Sequence, residues 1–342
     1  MRRVGALAAA AAMVVVALQV RARIDDGGGS SSREPARLLC AAELEAACLT
    51  LVETDDLVVE TEPAALTAAS LMAHPDAAPG DLEFDGWLAP EPLVAMVRED
   101  RARRGLTPVL DEPTGPLARS PLVLAVKEER RAVLEDACGG AIGWRCLGDV
   151  AGTAWRALGG EASWGAVRAG HADPTVSGTG LLVLGQATTE YFGRSDLATI
   201  DLDTDDGFAA WLARLEQAGS APPFEQVLAA GFVPFDAVGT TEAETGAVLA
   251  DAAPDRREEV SVLYLDPVVS ADVVLATTTG GNAGDRLQDV VAGDEGRGAL
   301  AGAGWRVGGE DVAPDRALDA TANLPSAGLL QALQQRWREA TG

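Results

Sequence analysis

Short apolar runs of strand type alternate with helical runs from residue 37 onward, and this alternation dictates α/β layering before any motif is considered. Arg37 to Ala41 reads as a strand and Ala42 to Glu53 as a helix, then Leu57 to Thr61 as a strand and Ala64 to Ala73 as a helix. Phe84 to Leu88 makes a third strand before the break at Ala89-Pro90-Glu91-Pro92. A β-α-β-α-β unit results. Ligands of open α/β sheets gather at the carboxyl ends of their strands, here Cys40–Glu43, Glu62–Ala65 and Ala89–Glu91.

A second region follows a Pro/Gly-rich stretch, Thr107 to Leu117, and opens on the buried-strand signal Ser120-Pro121-Leu122-Val123-Leu124-Ala125-Val126. The pattern predicts a loop over 138–147, a helix over 148–158, an amphipathic helix over 208–217, a strand over 232–238 and a helix over 240–250. Val260–Tyr264 and Val268–Thr277 read as strands returning to the first domain. Two crossings of this kind give a two-domain clamp, with residues 36–118 and 268–342 in domain 1 and 119–267 in domain 2. The chain closes with a helix over 286–300 that contains a turn at 293–296, a linker with Pro314 and Pro325, and a terminal helix over 326–340.

Within the second region, Gly170 to Gly180 sets Asp173, Thr175, Ser177, Gly178 and Thr179 directly before the apolar run Leu181–Leu184. Free N–H groups and the positive end of the dipole meet in the first turn of such a helix, and glycine admits close approach. The junction is either a small-ligand cradle or an ordinary N-cap of a core helix.

The ends and the charge narrow the setting. Residues 1–23 hold Arg2 and Arg3, an uncharged run from Val4 to Val20, then Arg21 and Arg23, which is an export signal or an uncleaved anchor. The anchor is the favoured reading and would place the body outside the cytoplasm; residues 24–35 form a Gly/Ser linker. Cys40, Cys48, Cys138 and Cys146 form two local pairs of equal spacing, read as disulfides in an exported chain. Zinc is the competing reading, although C-x7-C lacks the short spacing of structural sites. A net charge of −25 repels phosphate backbones and anionic surfaces, so nucleic acid is excluded as a partner.

Catalytic and metal patterns are weak. His171, Asp173 and Ser177 are of triad type but crowd one segment, and no G-x-S-x-G elbow occurs. The run Asp201-x-Asp203-x-Asp205-Asp206-Gly207 resembles a calcium loop, yet Leu212 stands where its closing glutamate is needed. It reads instead as an acidic helix entrance. Most of the seven tryptophans read as core, with Trp87, beside a predicted strand end, as the one candidate to line a cleft.

In their order, Leu38-Leu39-Cys40-Ala41-Ala42-Glu43, Asp85-Gly86-Trp87-Leu88-Ala89-Pro90, Ser120 to Val126, His171 to Gly180 and the closing Val290 to Trp305 resemble bacterial extracellular solute-binding proteins of the type 2 periplasmic-binding fold, in the branch related to molybdate-binding proteins. Leu324 to Leu330 with Trp337 is similar to the tail of actinobacterial proteins in which such a region precedes a von Willebrand A domain. The resemblance implies a binding protein, not an enzyme, without cofactor or metal. It implies capture of a small molecule or oxyanion between domains, for an ABC-type importer and its permease, or else an envelope interaction or sensory module that has left transport. The implied ligand residues are Ser120, Asp173, Thr175, Ser177, Gly178, Thr179 and Thr240, opposite a wall of Ala42, Ala64 and Ala89. The serines that molybdate-type proteins carry at the first two strand ends are missing, and Glu43 would repel an oxyanion there.

Overall fold

A computed structural model describes residues 34–52, 57–308 and 324–342. The export or anchor segment 1–23, most of the linker 24–35 and the stretch around Pro314 lie outside them. Among the described residues no helix is long and apolar enough to cross a membrane.

The described residues from Ala36 onward form one compact unit. The first lobe begins with β1 (Ala36–Ala41), a 3-10 turn (Ala42–Leu44), α1 (Glu45–Leu51), β2 (Leu57–Glu62), α2 (Ala64–Ala73), β3 (Gly86–Pro90) and α3 (Glu91–Arg103). β4 (Ala118–Lys127) crosses into a second lobe of α4 (Glu128–Ala137), α5 (Trp144–Val150), β5 (Ala169–His171), α6 (Gly178–Phe192), α7 (Thr199–Thr204) and α8 (Asp206–Leu215). That lobe continues through α9 (Phe224–Ala229), β6 (Ala237–Thr241), α10 (Glu242–Asp251), α11 (Pro254–Glu258) and β7 (Val260–Tyr264). The chain returns along β8 (Ser270–Thr277), α12 (Gly284–Val291), α13 (Asp294–Gly302) and β9 (Arg306–Val307), and ends in α14 (Ala327–Thr341).

The strand order β2-β1-β3-β8-β4-β6-β5 runs through both lobes because β4 belongs to both. Its Ala118–Pro121 pairs antiparallel with β8, and its Leu122–Val126 pairs with β6. Ten consecutive residues, eight of them buried, suit a strand covered on both faces. β1 runs parallel to β2 and β3, so Ala41, Glu62 and Pro90 end at one edge of the sheet. The 3-10 turn after β1 and the first turns of α2 and α3 carry Glu43, Ala64 and Leu93 there.

α6 is buried along Gly178–Thr189 rather than on one stripe. An apolar run without a polar face forms such a helix only inside a protein. Glycine lets it sit there: a Cβ on Gly180 would lie 2.2 Å from the Ala172 carbonyl oxygen, and one on Gly185 would lie 2.9 Å from Leu330 of α14. Ser177 caps its start and Gly193, at φ 68°, ends it. α14 touches α3 of the first lobe and α6 and α8 of the second, and one hydrophobic core runs through both lobes.

Several elements depart from the sequence reading. The helix expected over 148–158 is α5 instead, displaced because Gly148 lies under the Trp211 ring and Gly152, at φ 78°, closes the segment. The strand expected over 232–238 is β6, starting at Ala237, since Phe232 takes φ 64° and Pro234 has no N–H for a ladder. β7 does not return to the first lobe; it pairs with β4 along Val123–Lys127, on the side opposite β6. The helix expected over 286–300 divides into α12 and α13 at the extended Gly293. Both cysteine pairs are disulfides, Cys40–Cys48 and Cys138–Cys146. Trp87 is fully buried core.

Glu190 of α6 caps α5, accepting the Trp144 N–H at 2.6 Å. Burial pushes its carboxyl up to about 7, against the pull of the Trp144 and Arg145 N–H groups. The folded state therefore keeps this proton where the unfolded chain has released it. The resulting stabilisation is complete below the ordinary value of 4.5 and is lost as pH rises through about 7. Relative to Glu190→Gln, wild type is expected to lose about 2–3 kcal/mol between pH 5 and pH 8, read from urea midpoints at each pH.

Candidate functional site

The two lobes meet where the loop after β1 faces the start of α6. Ala42–Leu44 turns directly out of β1, and the Cys40–Cys48 bridge ties the end of that strand to α1. Glu43 is thereby held at the sheet edge. Opposite it, Asp173 organises the approach to α6: its carboxylate accepts the Thr175 N–H at 2.8 Å and the Thr175 hydroxyl at 2.7 Å, and its carbonyl accepts the Ser177 N–H at 2.8 Å.

Three donors of this junction converge on one atom. Glu43 Oε1 accepts from the Gly178 N–H at 2.5 Å, the Ser177 hydroxyl at 3.1 Å and the Thr179 N–H at 3.2 Å. Ser177 Oγ in turn accepts the Gly180 N–H at 3.1 Å, so one hydroxyl caps the helix and reaches across the lobes. The Ala65 N–H donates to the Val176 carbonyl at 3.2 Å, a second tie between them. Gly178 is required by this closeness: a Cβ there would meet Glu43 Oε1 at 3.1 Å, Ala64 Cβ at 3.2 Å and Leu93 Cδ1 at 3.3 Å.

Glu43 Oε2 is buried without a hydrogen-bond partner. Burial pushes the carboxyl above the usual carboxylate range, opposed by its own backbone N–H and by Thr179, Ser177 and Gly178. The positive end of α6 is thus filled by a carboxylate of the same chain.

The structure brings Ala64, Ser177, Gly178 and Thr179 together around Glu43, with Asp173 and Thr175 shaping the turn behind them. Ala42 is exposed, and Ala89 is buried within β3 opposite Val274. Ser120 and Thr240 are engaged at α10 instead: Ser120 Oγ accepts the Ala243 N–H at 2.9 Å and the Thr240 hydroxyl donates to Glu244. Neither directs a free hydroxyl into the junction.

His171, Asp173 and Ser177 do not assemble as a triad. His171 places Nδ1 2.8 Å from the Ala172 carbonyl and Nε2 2.9 Å from Glu216 Oε1. Burial disfavours its cation, yet Glu216 more than offsets this and raises the His171 pKa. With both ring nitrogens engaged, at the Ala172 carbonyl and at Glu216, neither is turned to Ser177. Glu216 Oε2 accepts the Trp337 indole N–H at 2.8 Å, and Gln334 donates to the Pro174 carbonyl at 2.7 Å. α14 therefore braces the site loop from behind. In the acidic run, Asp205 caps α8 through the Gly207 and Phe208 N–H groups. Among the described residues no cluster could hold a metal ion.

Sequence reasoning placed Glu43 near the site but only as a repulsive charge, and missed Leu93, Glu216 and Trp337. The signal for Glu43 was its position two residues past a strand end.

No protein-family model matches the chain. No curated protein matches it either. Solved structures do. The periplasmic binding protein AfuA from Actinobacillus pleuropneumoniae, with fructose-6-phosphate bound, aligns at TM-score 0.53 and 12% identity over 91% of this chain and 97% of its own. The apo ferric ion-binding protein A of Pasteurella haemolytica aligns at 0.53 and 10% over 90% and 96%. The sulfate-binding protein SubI of Mycobacterium tuberculosis H37Rv aligns at 0.50 and 12% over 87% and 96%. The shared feature is the fold, the two-domain α/β clamp of periplasmic binding proteins.

Ser177→Ala removes both the cap and the hydroxyl bond to Glu43, and is expected to cost about 1–2 kcal/mol. In urea unfolding, a double-mutant cycle with Glu43→Gln is expected to show coupling of at least about 0.5 kcal/mol; additive losses would mean that the two residues act apart.

Proposed function

We propose that this chain is an extracytoplasmic solute-binding protein that closes its two lobes on a small ligand at the start of α6. The observation that carries this reading is the convergence of the Ser177 hydroxyl and the Gly178 and Thr179 N–H groups on one oxygen between the lobes. A helix N-terminus with converging N–H groups binds anionic or acceptor groups. The clamp fold supports it: fructose-6-phosphate, ferric ion and sulfate are what the aligned proteins are named for binding. β4 and the segment between β7 and β8 are the two connections about which the lobes would open. In this reading the N-terminal segment holds the body on the outer side of the membrane, and an ABC-type importer receives the solute. The body is split as 36–118 with 268–342, and 119–267, and its ligand chemistry departs from the molybdate-like branch at Ala42 and Ala64.

A second reading, an envelope interaction or sensory module on the same fold, is favoured by one observation. The side chains of Ser120, Asp173, Thr175, Ser177 and Thr240 are all engaged by partners within the chain.

A thermal-shift screen of the protein against oxyanions, ferric chelates, amino acids, organic acids and sugars separates the two. Solute capture predicts one selective class, worth about 2.7 kcal/mol at 100 times its dissociation constant, with the shift lost in the double variant Ser177→Ala, Thr179→Val. No shift from any class in folded protein moves the assignment to the module.

A further inference from the structure

The groups around Glu43 specify what else could take its place. Every favourable contact to its carboxylate comes from a neutral group: its own backbone, the Gly178 and Thr179 N–H groups and the Ser177 hydroxyl. No guanidinium or ammonium is among them. All three cross-lobe donors meet a single oxygen, while Ala64 and Leu93 crowd the same spot with methyl groups. Phosphate or sulfate would bring a second charge and further oxygens into this setting, each without a donor, and burying such groups is costly. One planar, singly charged carboxylate fits the donor count.

Glu43 itself fits imperfectly. Its Oε2 is buried and unpartnered, so part of the desolvation of the carboxylate is left uncompensated. Its mount is nonetheless suited to release. Ala42 and Glu45 beside it are exposed and Glu43 is itself only half-buried as a residue, while the Cys40–Cys48 bridge fixes the backbone on both sides.

We propose that the cradle formed by Ser177, Gly178 and Thr179 is a carboxylate-binding site for which Glu43 is the resident occupant, and that the chain takes a carboxylate-bearing solute by exchange with Glu43. Resting on the solute-binding reading, this names the ligand class and adds a control. In the absence of solute the protein holds its lobes shut on its own side chain. The tether gives Glu43 a high effective concentration, so that weak carboxylates are excluded and the true solute must add contacts beyond the carboxylate.

The test uses the full chain with Glu43→Ala and with acetate as probe, sulfate and phosphate at matched ionic strength serving as controls. Expected is saturable acetate binding to Glu43→Ala at least tenfold tighter than to wild type, with recovery of part of the melting temperature lost by the substitution, and no such recovery with sulfate or phosphate. Equal acetate affinity in variant and wild type, or equal recovery with the tetrahedral anions, overturns the proposal. Should Glu43→Ala fail to fold, Glu43→Gln keeps an acceptor oxygen without the charge. It must then bind acetate at least tenfold more tightly than wild type, and equal affinity again overturns the exchange. A solute found by the thermal screen whose affinity does not change in Glu43→Ala removes the exchange and leaves solute capture standing. Acetate binding by Glu43→Ala in a protein that answers to no solute supports the site and removes capture.

Discussion

The contact between the Glu43 carboxylate and the first turn of α6 is the one on which the arrangement of the lobes turns. It joins a loop at the edge of the first sheet to the N-terminus of the most buried helix of the second lobe. Its strength comes from the convergence of unpaired N–H groups and dipole at a helix start, acting in a site from which water is excluded. Its cost comes from the same exclusion, because the second carboxylate oxygen finds no partner. A contact that is both strong and incompletely satisfied is suited to being exchanged for a carboxylate that brings contacts of its own.

The surrounding structure holds the acceptor side of this contact in place. Asp173 fixes the turn entering α6, Gly180 lets the helix press against the Ala172 carbonyl, and Gln334 and Trp337 of α14 reach the same segment through Pro174 and Glu216. The buried pair His171 and Glu216 would be costly if either group were left alone, and the Trp337 indole and the Ala172 carbonyl complete its hydrogen bonding. The terminal helix thus does more than close the chain. By packing on α3 as well as on α6 and α8, it lies against both lobes.

Much of the fold was legible because period and punctuation carry it. β1, α2, β4, β7, β8 and the terminal helix stand within a few residues of where their apolar patterns put them, and the cysteine spacing paired correctly. Failures fell where a distant contact outweighed a local one. Gly148 reads as a poor helix residue, yet it lies inside α5 because a larger side chain would strike Trp211. The run over 232–238 has strand composition, but its backbone turns at Phe232 and the ladder begins only at Ala237. At the site, Ser177, Gly178, Thr179 and Ala64 could be named from position alone. Ser120 and Thr240, chosen on the same grounds, cap and brace α10 instead.

What the sequence determined by itself was the α/β layering, the crossing at β4, the covalent ties and the donors waiting at the start of α6. These follow from periodicity, spacing and residue chemistry, which are local. Only the tertiary structure decided what those donors hold. Glu43 and Gly178 are 135 positions apart, and nothing in either neighbourhood announces the other. In sequence the carboxylate counts as a charge that repels an anion; in the folded chain it is the anion, because closing the lobes removes water from both partners and leaves each the other's counterpart.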